Sequence, residues 1–225
     1  MGEMTTLTAA DGHTLGAYRA DPEGTPQGGI VVVQEIFGVN NHIRDVADGY
    51  AAAGYLAIAP AIYDRAQRDV QLGYEQDDMQ AGIKLRSEIP LDKALADIAA
   101  AAQVARTAGK VGTVGYCWGG FLSAAAAINL AGTVDASVGY YGGGIANSLL
   151  DQVPRVPLIL HFGELDHAIP LEDVEKVKAA WPDAAVYVYP GAQHGFECDQ
   201  RASYNAHAAR VALSRTLRFF FEQIG

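Results

Sequence analysis

The stretch that most constrains this chain is Val111-Gly-Thr-Val-Gly-Tyr-Cys-Trp-Gly-Gly120, where a short apolar run meets a glycine-flanked turn and gives way to the helix-like segment Phe121–Leu130. A strand that reverses sharply into a helix forces the residue at its tip into strained dihedrals. Strand and helix can then approach only where neighbouring residues lack a Cβ. Gly115, Gly119 and Gly120 satisfy that demand around Cys117, and Gly115-Tyr-Cys-Trp-Gly119 reads as a nucleophile elbow with cysteine at the reactive position. A helix starting just after the cysteine turns its free N–H groups and positive dipole end toward the thiol, which favours a thiolate or a bound oxyanion. The bland alternative, a small buried hydrophobe at a strand–helix joint, is how most free cysteines behave. The glycine spacing, the apolar strand and the helix together argue against it.

Such a joint belongs to α/β architecture, and the rest of the chain alternates accordingly. Asp11-Gly12 is a turn dipeptide within Thr5–Arg19, an N-terminal hairpin. Gly29–Val33 is β-branched and almost continuously apolar, as a strand buried on both faces of a parallel sheet should be. A helix is expected over Asn41–Ala53, a strand over Tyr55–Ala59 closed by Pro60, and an alanine-rich helix over Leu91–Ala108 ended by Gly109. Ala136–Tyr141, Val156–Phe162 and Ala185–Tyr189 read as further strands, with Leu171–Ala180 and Tyr204–Glu222 as helices. The polar segment Tyr63–Glu88 reads either as a surface excursion near the site or as a short irregular helix. The pattern predicts a doubly wound, mostly parallel sheet with helices on both faces, in a single domain spanning residues 1–225.

Functional residues in such a sheet lie at the carboxyl ends of the strands. After Val156–Phe162 comes Gly163-Glu-Leu-Asp166, and after Ala185–Tyr189 comes Pro190-Gly-Ala-Gln-His-Gly195. The order Cys117, Asp166, His194 matches nucleophile, acid, base on three successive strand-exit loops. His194 would take the thiol proton and later activate water, while Asp166 would set its tautomer. Of the other histidines, His13, His42 and His207 fall in a hairpin, a helix start and a helix, and His161 lies within a strand. His167 follows Asp166 but has no glycine-bounded loop of its own. A metal reading of His161, Glu164 and His167 would need one helical face, so no metal site is expected and no cofactor is called for.

Composition narrows the partners. A formal charge of −10 with no Lys/Arg cluster argues against a nucleic-acid surface. No apolar run reaches membrane-spanning length, and the first residues lack a basic stretch followed by an apolar one, which points to a cytoplasmic protein. With two cysteines, Cys117 and Cys198, disulfides do not frame the fold. The expected partner is a small molecule, and the expected state a monomer or small homo-oligomer.

The ordered stretches Val33-Gln-Glu-Ile-Phe-Gly-Val-Asn40, Gly115-Tyr-Cys-Trp-Gly-Gly120, Gly139-Tyr-Tyr-Gly142 and the Asp166 and His194 loops resemble those of the dienelactone hydrolase (carboxymethylenebutenolidase) family. The resemblance covers nearly the whole chain and implies an α/β-hydrolase fold whose Cys–His–Asp triad hydrolyses an ester or lactone through a thioester. It implies that Glu35 hydrogen-bonds the resting thiol until substrate displaces it. It also implies that backbone N–H groups of Ile36 and Trp118 form an oxyanion hole, the latter being the residue after the nucleophile. Tyr140 and Tyr141, ending a strand, are candidate pocket walls. Members acting on dienelactone carry two arginines for the substrate carboxylate, and this chain places Met79 and Cys198 there. Arg86 and Arg201 are the nearest candidates to replace them, with Arg65 and Arg68 further away. The same activated Cys117 would also suit a redox-responsive thiol protein, and a non-catalytic binding module is the third class to weigh.

Overall fold

The computed structural model describes residues 1–225. Its strands are β1 (Glu3–Thr8), β2 (Thr14–Ala20), β3 (Gly29–Val33), β4 (Leu56–Pro60), β5 (Val111–Tyr116), β6 (Ala136–Tyr140), β7 (Leu158–Gly163) and β8 (Ala185–Tyr189). The helices are α1 (Asn41–Ala52), α2 (Gln76–Ser87), α3 (Leu91–Ala105), α4 (Trp118–Asn129), the short α5 (Ile145–Ser148), α6 (Leu171–Ala180) and α7 (Ala206–Ile224). All eight strands form one sheet in the order β1-β2-β4-β3-β5-β6-β7-β8. β1 and β2 are the predicted hairpin, and β2 runs antiparallel to β4. From β4 through β8 every pairing is parallel.

The apolar runs read from the sequence lie where both faces are covered. All five residues of β3, β4 and β6 and all six of β5 and β7 are buried. β8, at the edge, is half-buried over four of its five positions. Close approaches show which helix covers which face. A Cβ on Gly112 would strike Phe220 of α7, whereas one on Gly115 would strike α4. Residues three apart on a strand point to opposite faces, so α4 and α7 sandwich β5. Gly29, paired with Val111 and therefore on the Gly115 side, packs on Ala105 of α3. α1 joins α7 on the other face, where the rings of Tyr50 and Phe220 meet edge-on at 6.1 Å.

Expected boundaries shift slightly. The elbow helix begins at Trp118 rather than Phe121, because the turn after Cys117 is itself the first turn of helix: Gly120 and Phe121 N–H groups already donate to the Cys117 carbonyl at 2.9 and 3.2 Å. The short α5 has no period long enough to be read in sequence. The ambiguous Tyr63–Glu88 segment proves to be both things at once: a 3₁₀ turn at Ile62–Arg65, an extended stretch, and the twelve-residue α2 begun by a Glu75/Asp78 capping box. No helix is long and apolar enough to cross a membrane.

Candidate active site

Four strand exits converge on one edge of the sheet: Glu35 follows β3, Cys117 follows β5, Asp166 follows β7 and His194 follows β8. At the elbow, Cys117 adopts φ 54° and ψ −114°, a backbone region that non-glycine residues rarely enter. The strain is locked in by the hydrogen bond from its N–H to the Tyr140 carbonyl at 3.0 Å and by the packing of its glycines. A Cβ on Gly115 would overlap the Gly119 carbonyl, and one on Gly119 would overlap the carbonyl of Val33. Cys117 itself is half-buried, so its thiol has access to solvent.

His194 Nδ1 lies 2.8 Å from Asp166 Oδ2. The second carboxylate oxygen accepts the Ala168 N–H at 2.9 Å, which fixes the carboxylate plane, and Asp166 is 4% exposed. Burial works against a charge on His194, yet hydrogen bonding to Asp166 and to the Cys117 thiol outweighs it and raises the imidazole to about 10. A ring whose Nδ1 is committed to a carboxylate presents Nε2 to its other neighbour, the tautomer that proton transfer needs. The edge of Tyr141 packs on the His194 ring at 5.1 Å. The N–H groups of Ile36 and Trp118 donate to no other protein group.

Glu35 departs from expectation. Its side chain is fully buried, and Oε1 lies 3.5 Å from Arg201 Nη1 while Oε2 has no hydrogen-bond partner. The carboxylate is therefore held by Arg201 and not by the thiol of Cys117. Arg201, 16% exposed, is pinned by the rings of Phe37 and Tyr74, each 5.7 Å from its guanidinium carbon.

Other candidates separate. Tyr140 is not a pocket wall: it is fully buried, its hydroxyl shares a 2.7 Å hydrogen bond with Thr216, and its ring stacks on Tyr116 at 4.8 Å. β6 ends at Tyr140, one residue short of the expected strand, and the equally buried Tyr141 turns beyond it at φ 38° with its hydroxyl unpartnered. Cys198 does not face a pocket either, since it is wholly buried. Met79 and Arg86 are exposed on α2, flanking the stripe by which Gly82 and Leu85 pack inward. Arg65 binds Asp97 and Asp11 and Arg68 binds Asp64, so both are already paired within the protein. The metal reading dissolves as well: both ring nitrogens of His161 are occupied, by Tyr189 at 2.8 Å and Thr216 at 3.1 Å, and Glu164 accepts the Gly191 N–H.

Several residues had no local signal. Gln34, fully buried, accepts the Ile62 N–H at 3.1 Å and so ties the 3₁₀ turn to the Glu35 loop. Tyr63 stacks on Trp118 at 5.4 Å and donates to the carbonyls of Gly82 and Ile36. His42, set aside on sequence because it starts a helix, is buried next to Cys198, Glu35 and Glu197, whose Oε2 is 3.5 Å from its Nε2. Burial opposes its charge, but hydrogen bonds to Cys198 and Glu197 raise it to about 10. A cavity of about 400 Å³ opens between α1 and α7 against His42 and Glu197, and Cys117 is not on its wall.

Sheet order, elbow and strand-exit residues define an α/β-hydrolase-fold enzyme. The pattern of the dienelactone hydrolase family matches residues 15–224. A carboxymethylenebutenolidase of Pseudomonas putida is 36% identical over 228 residues, covering 96% of this chain and 95% of its own length. Among solved structures, a provisionally assigned dienelactone hydrolase of Klebsiella pneumoniae superposes with a TM-score of 0.83 at 30% identity, covering 97% of this chain and 98% of that one. An esterase of Pyrococcus furiosus shares the fold at a TM-score of 0.72 and 15% identity. The chain belongs to the dienelactone hydrolase family and is an ester or lactone hydrolase of that type.

Proposed function

We propose that the protein hydrolyses a small ester or lactone by covalent catalysis at Cys117. The observation that carries this reading is the pairing of a strained, half-buried elbow cysteine with a His194–Asp166 hydrogen bond of 2.8 Å on neighbouring strand exits. With its proton already held by His194, Cys117 Sγ adds to the substrate carbonyl as a thiolate, and the oxyanion that forms is held by the N–H groups of Ile36 and Trp118. Collapse expels the alkoxide, which takes the proton from His194; in a lactone this alkoxide stays tethered to the acyl group. The resulting thioester is attacked by water that His194 deprotonates, and collapse of the second adduct returns the thiolate and releases the acid. Asp166 steadies the imidazolium in both halves.

Glu35 serves this cycle through its charge beside the thiol, and Arg201 tempers that charge in the resting protein. Arg201 is also the cation best placed for a substrate carboxylate. Because Glu35 already neutralises it, and Met79 and Cys198 contribute no charge, a neutral acyl group suits the site better than an anionic one. Acid-quenched protein from a slow ester should carry the mass of an acyl adduct on the peptide containing Cys117, and Cys117→Ala should carry none. An adduct on another residue, or turnover by Cys117→Ala within tenfold of the parent, would remove the assignment.

A further inference from the structure

Cys198, His42 and Glu35 come from the His194 loop, the start of α1 and the exit of β3, and the fold brings one ligand atom of each within 4.8 Å of the other two, all three residues buried. We propose that these residues form a binding site for a thiophilic divalent cation, with zinc the ion their donor set fits. A thiolate, an imidazole and a carboxylate are zinc's own ligand types, and three protein ligands leave the fourth tetrahedral position to water. With metal–ligand bonds of about 2.0–2.3 Å, ligand atoms in such a site sit roughly 3.3–3.7 Å apart. The widest pair of ligand atoms therefore needs to close by roughly 1.1–1.5 Å.

Two further features point to a ligand. Glu35 Oε2 is buried without a hydrogen-bond partner, in a side chain that is 0% exposed. Buried polar atoms are rarely left so, because each forfeits its hydration. Charge also balances: the Cys198 thiol and the His42 imidazolium each release a proton to solvent on binding, and the thiolate and the Glu35 carboxylate then cancel a divalent cation beside a neutral imidazole. The cavity between α1 and α7 reaches His42, which lines it together with the acidic Glu197 and Asp199. An ion bound there engages Glu35 and couples its own occupancy to the carboxylate beside Arg201.

Inhibition of the parent enzyme by zinc would not test this, since Cys117 and His194 also bind soft cations. Cys117→Ala leaves Cys198 as the only thiol in the chain, so titration of that variant with cobalt(II) as a spectroscopic stand-in for zinc isolates the site. The expected result is one cobalt per chain, an intense thiolate-to-cobalt charge-transfer band with tetrahedral d–d absorption, and loss of both on adding zinc. Cys198→Ser in the same background should abolish the charge-transfer band with circular dichroism unchanged. If that variant does not fold, competition of zinc against a chelating dye in Cys117→Ala and in Cys117→Ala/His42→Gln decides, with a loss of at least about tenfold in affinity expected. Absence of the charge-transfer band at saturating cobalt overturns the proposal whether or not cobalt binds, and so does equal zinc affinity with and without His42. Neither outcome depends on how Cys117 acts.

Discussion

The two flanks of the site are built on opposite principles. On the elbow flank, polar groups are matched: both oxygens of Asp166 are used, His194 is oriented by one of them, and the strain at Cys117 is held by glycine packing. On the Glu35 flank, charge is buried and loosely matched, with Glu35 Oε2 lacking a partner and His42 Nε2 and Glu197 Oε2 meeting only at 3.5 Å. A satisfied network holds one geometry, as a triad must. An under-satisfied one is poised to change partners, which suits groups that respond to a substrate or an ion.

The largest expected effect breaks the elbow flank. Cys117→Ser should lose several orders of magnitude in kcat, because a hydroxyl is far harder to deprotonate than a thiol and the site is arranged for the softer nucleophile. Steady-state rates on an aryl ester check it, and a serine variant as fast as the parent would show that the tuning resides elsewhere. Next comes Asp166→Asn, for which kcat should fall about 10⁴-fold as the imidazole loses its tautomer. A near-normal rate would redirect attention to Glu164.

The same substitution carries a pH signature. His194 is raised from 6.5 to about 10 in the folded protein, so its contribution to stability is fully present below pH 6.5 and is lost as pH rises toward 10. The difference in denaturation midpoint between the parent and Asp166→Asn should accordingly narrow over that window. A gap that widened with pH would mean the imidazole is neutral when folded.

On the Glu35 flank the expected effects are on stability first. Arg201→Ala abandons a fully buried carboxylate and should cost about 2–3 kcal/mol, whereas Glu35→Gln, which removes the charge itself, should stay within about 1 kcal/mol of the parent. Urea denaturation of the two variants compares them, and the reverse order would show that Arg201 matters mainly through its packing on Phe37 and Tyr74. Smallest is the substrate preference: a neutral ester should show a severalfold higher kcat/KM than its carboxylate-bearing analogue. A preference for the carboxylate that fades with salt would make Arg201 its anchor.

How much could be read without the structure divides along the same line. Cys117, Asp166 and His194 were legible because each requirement is local: a glycine pair around the nucleophile, and loops placed at the ends of apolar runs. Tyr140 was misplaced because strand alternation cannot say which residues near a strand end face the core, and Tyr140 is still within β6, with its hydroxyl on Thr216 and its ring on Tyr116. His42 sits two residues beyond Asn40, the cap of α1, and nothing nearby in sequence marks it as the neighbour of Cys198, more than a hundred and fifty positions away. Arg201 had the right charge in the right region, but its pairing with Glu35 depends on how the turn from Gly195 to Arg201 folds over the β3 exit.

What the sequence by itself determined is the alternation of strand and helix, the elbow, and the placing of Cys117, Asp166 and His194 on successive strand-exit loops, since these follow from periodicity, backbone sterics and the rule that loops at the carboxyl ends of parallel strands share an edge. Only the tertiary structure decided which partner Glu35 keeps, where the 63–88 segment lies, and that a thiol, an imidazole and a carboxylate meet in the interior. Those outcomes are balances among burial, ion pairing and packing across elements distant in the chain, and no local pattern encodes which of several near-equal pairings prevails.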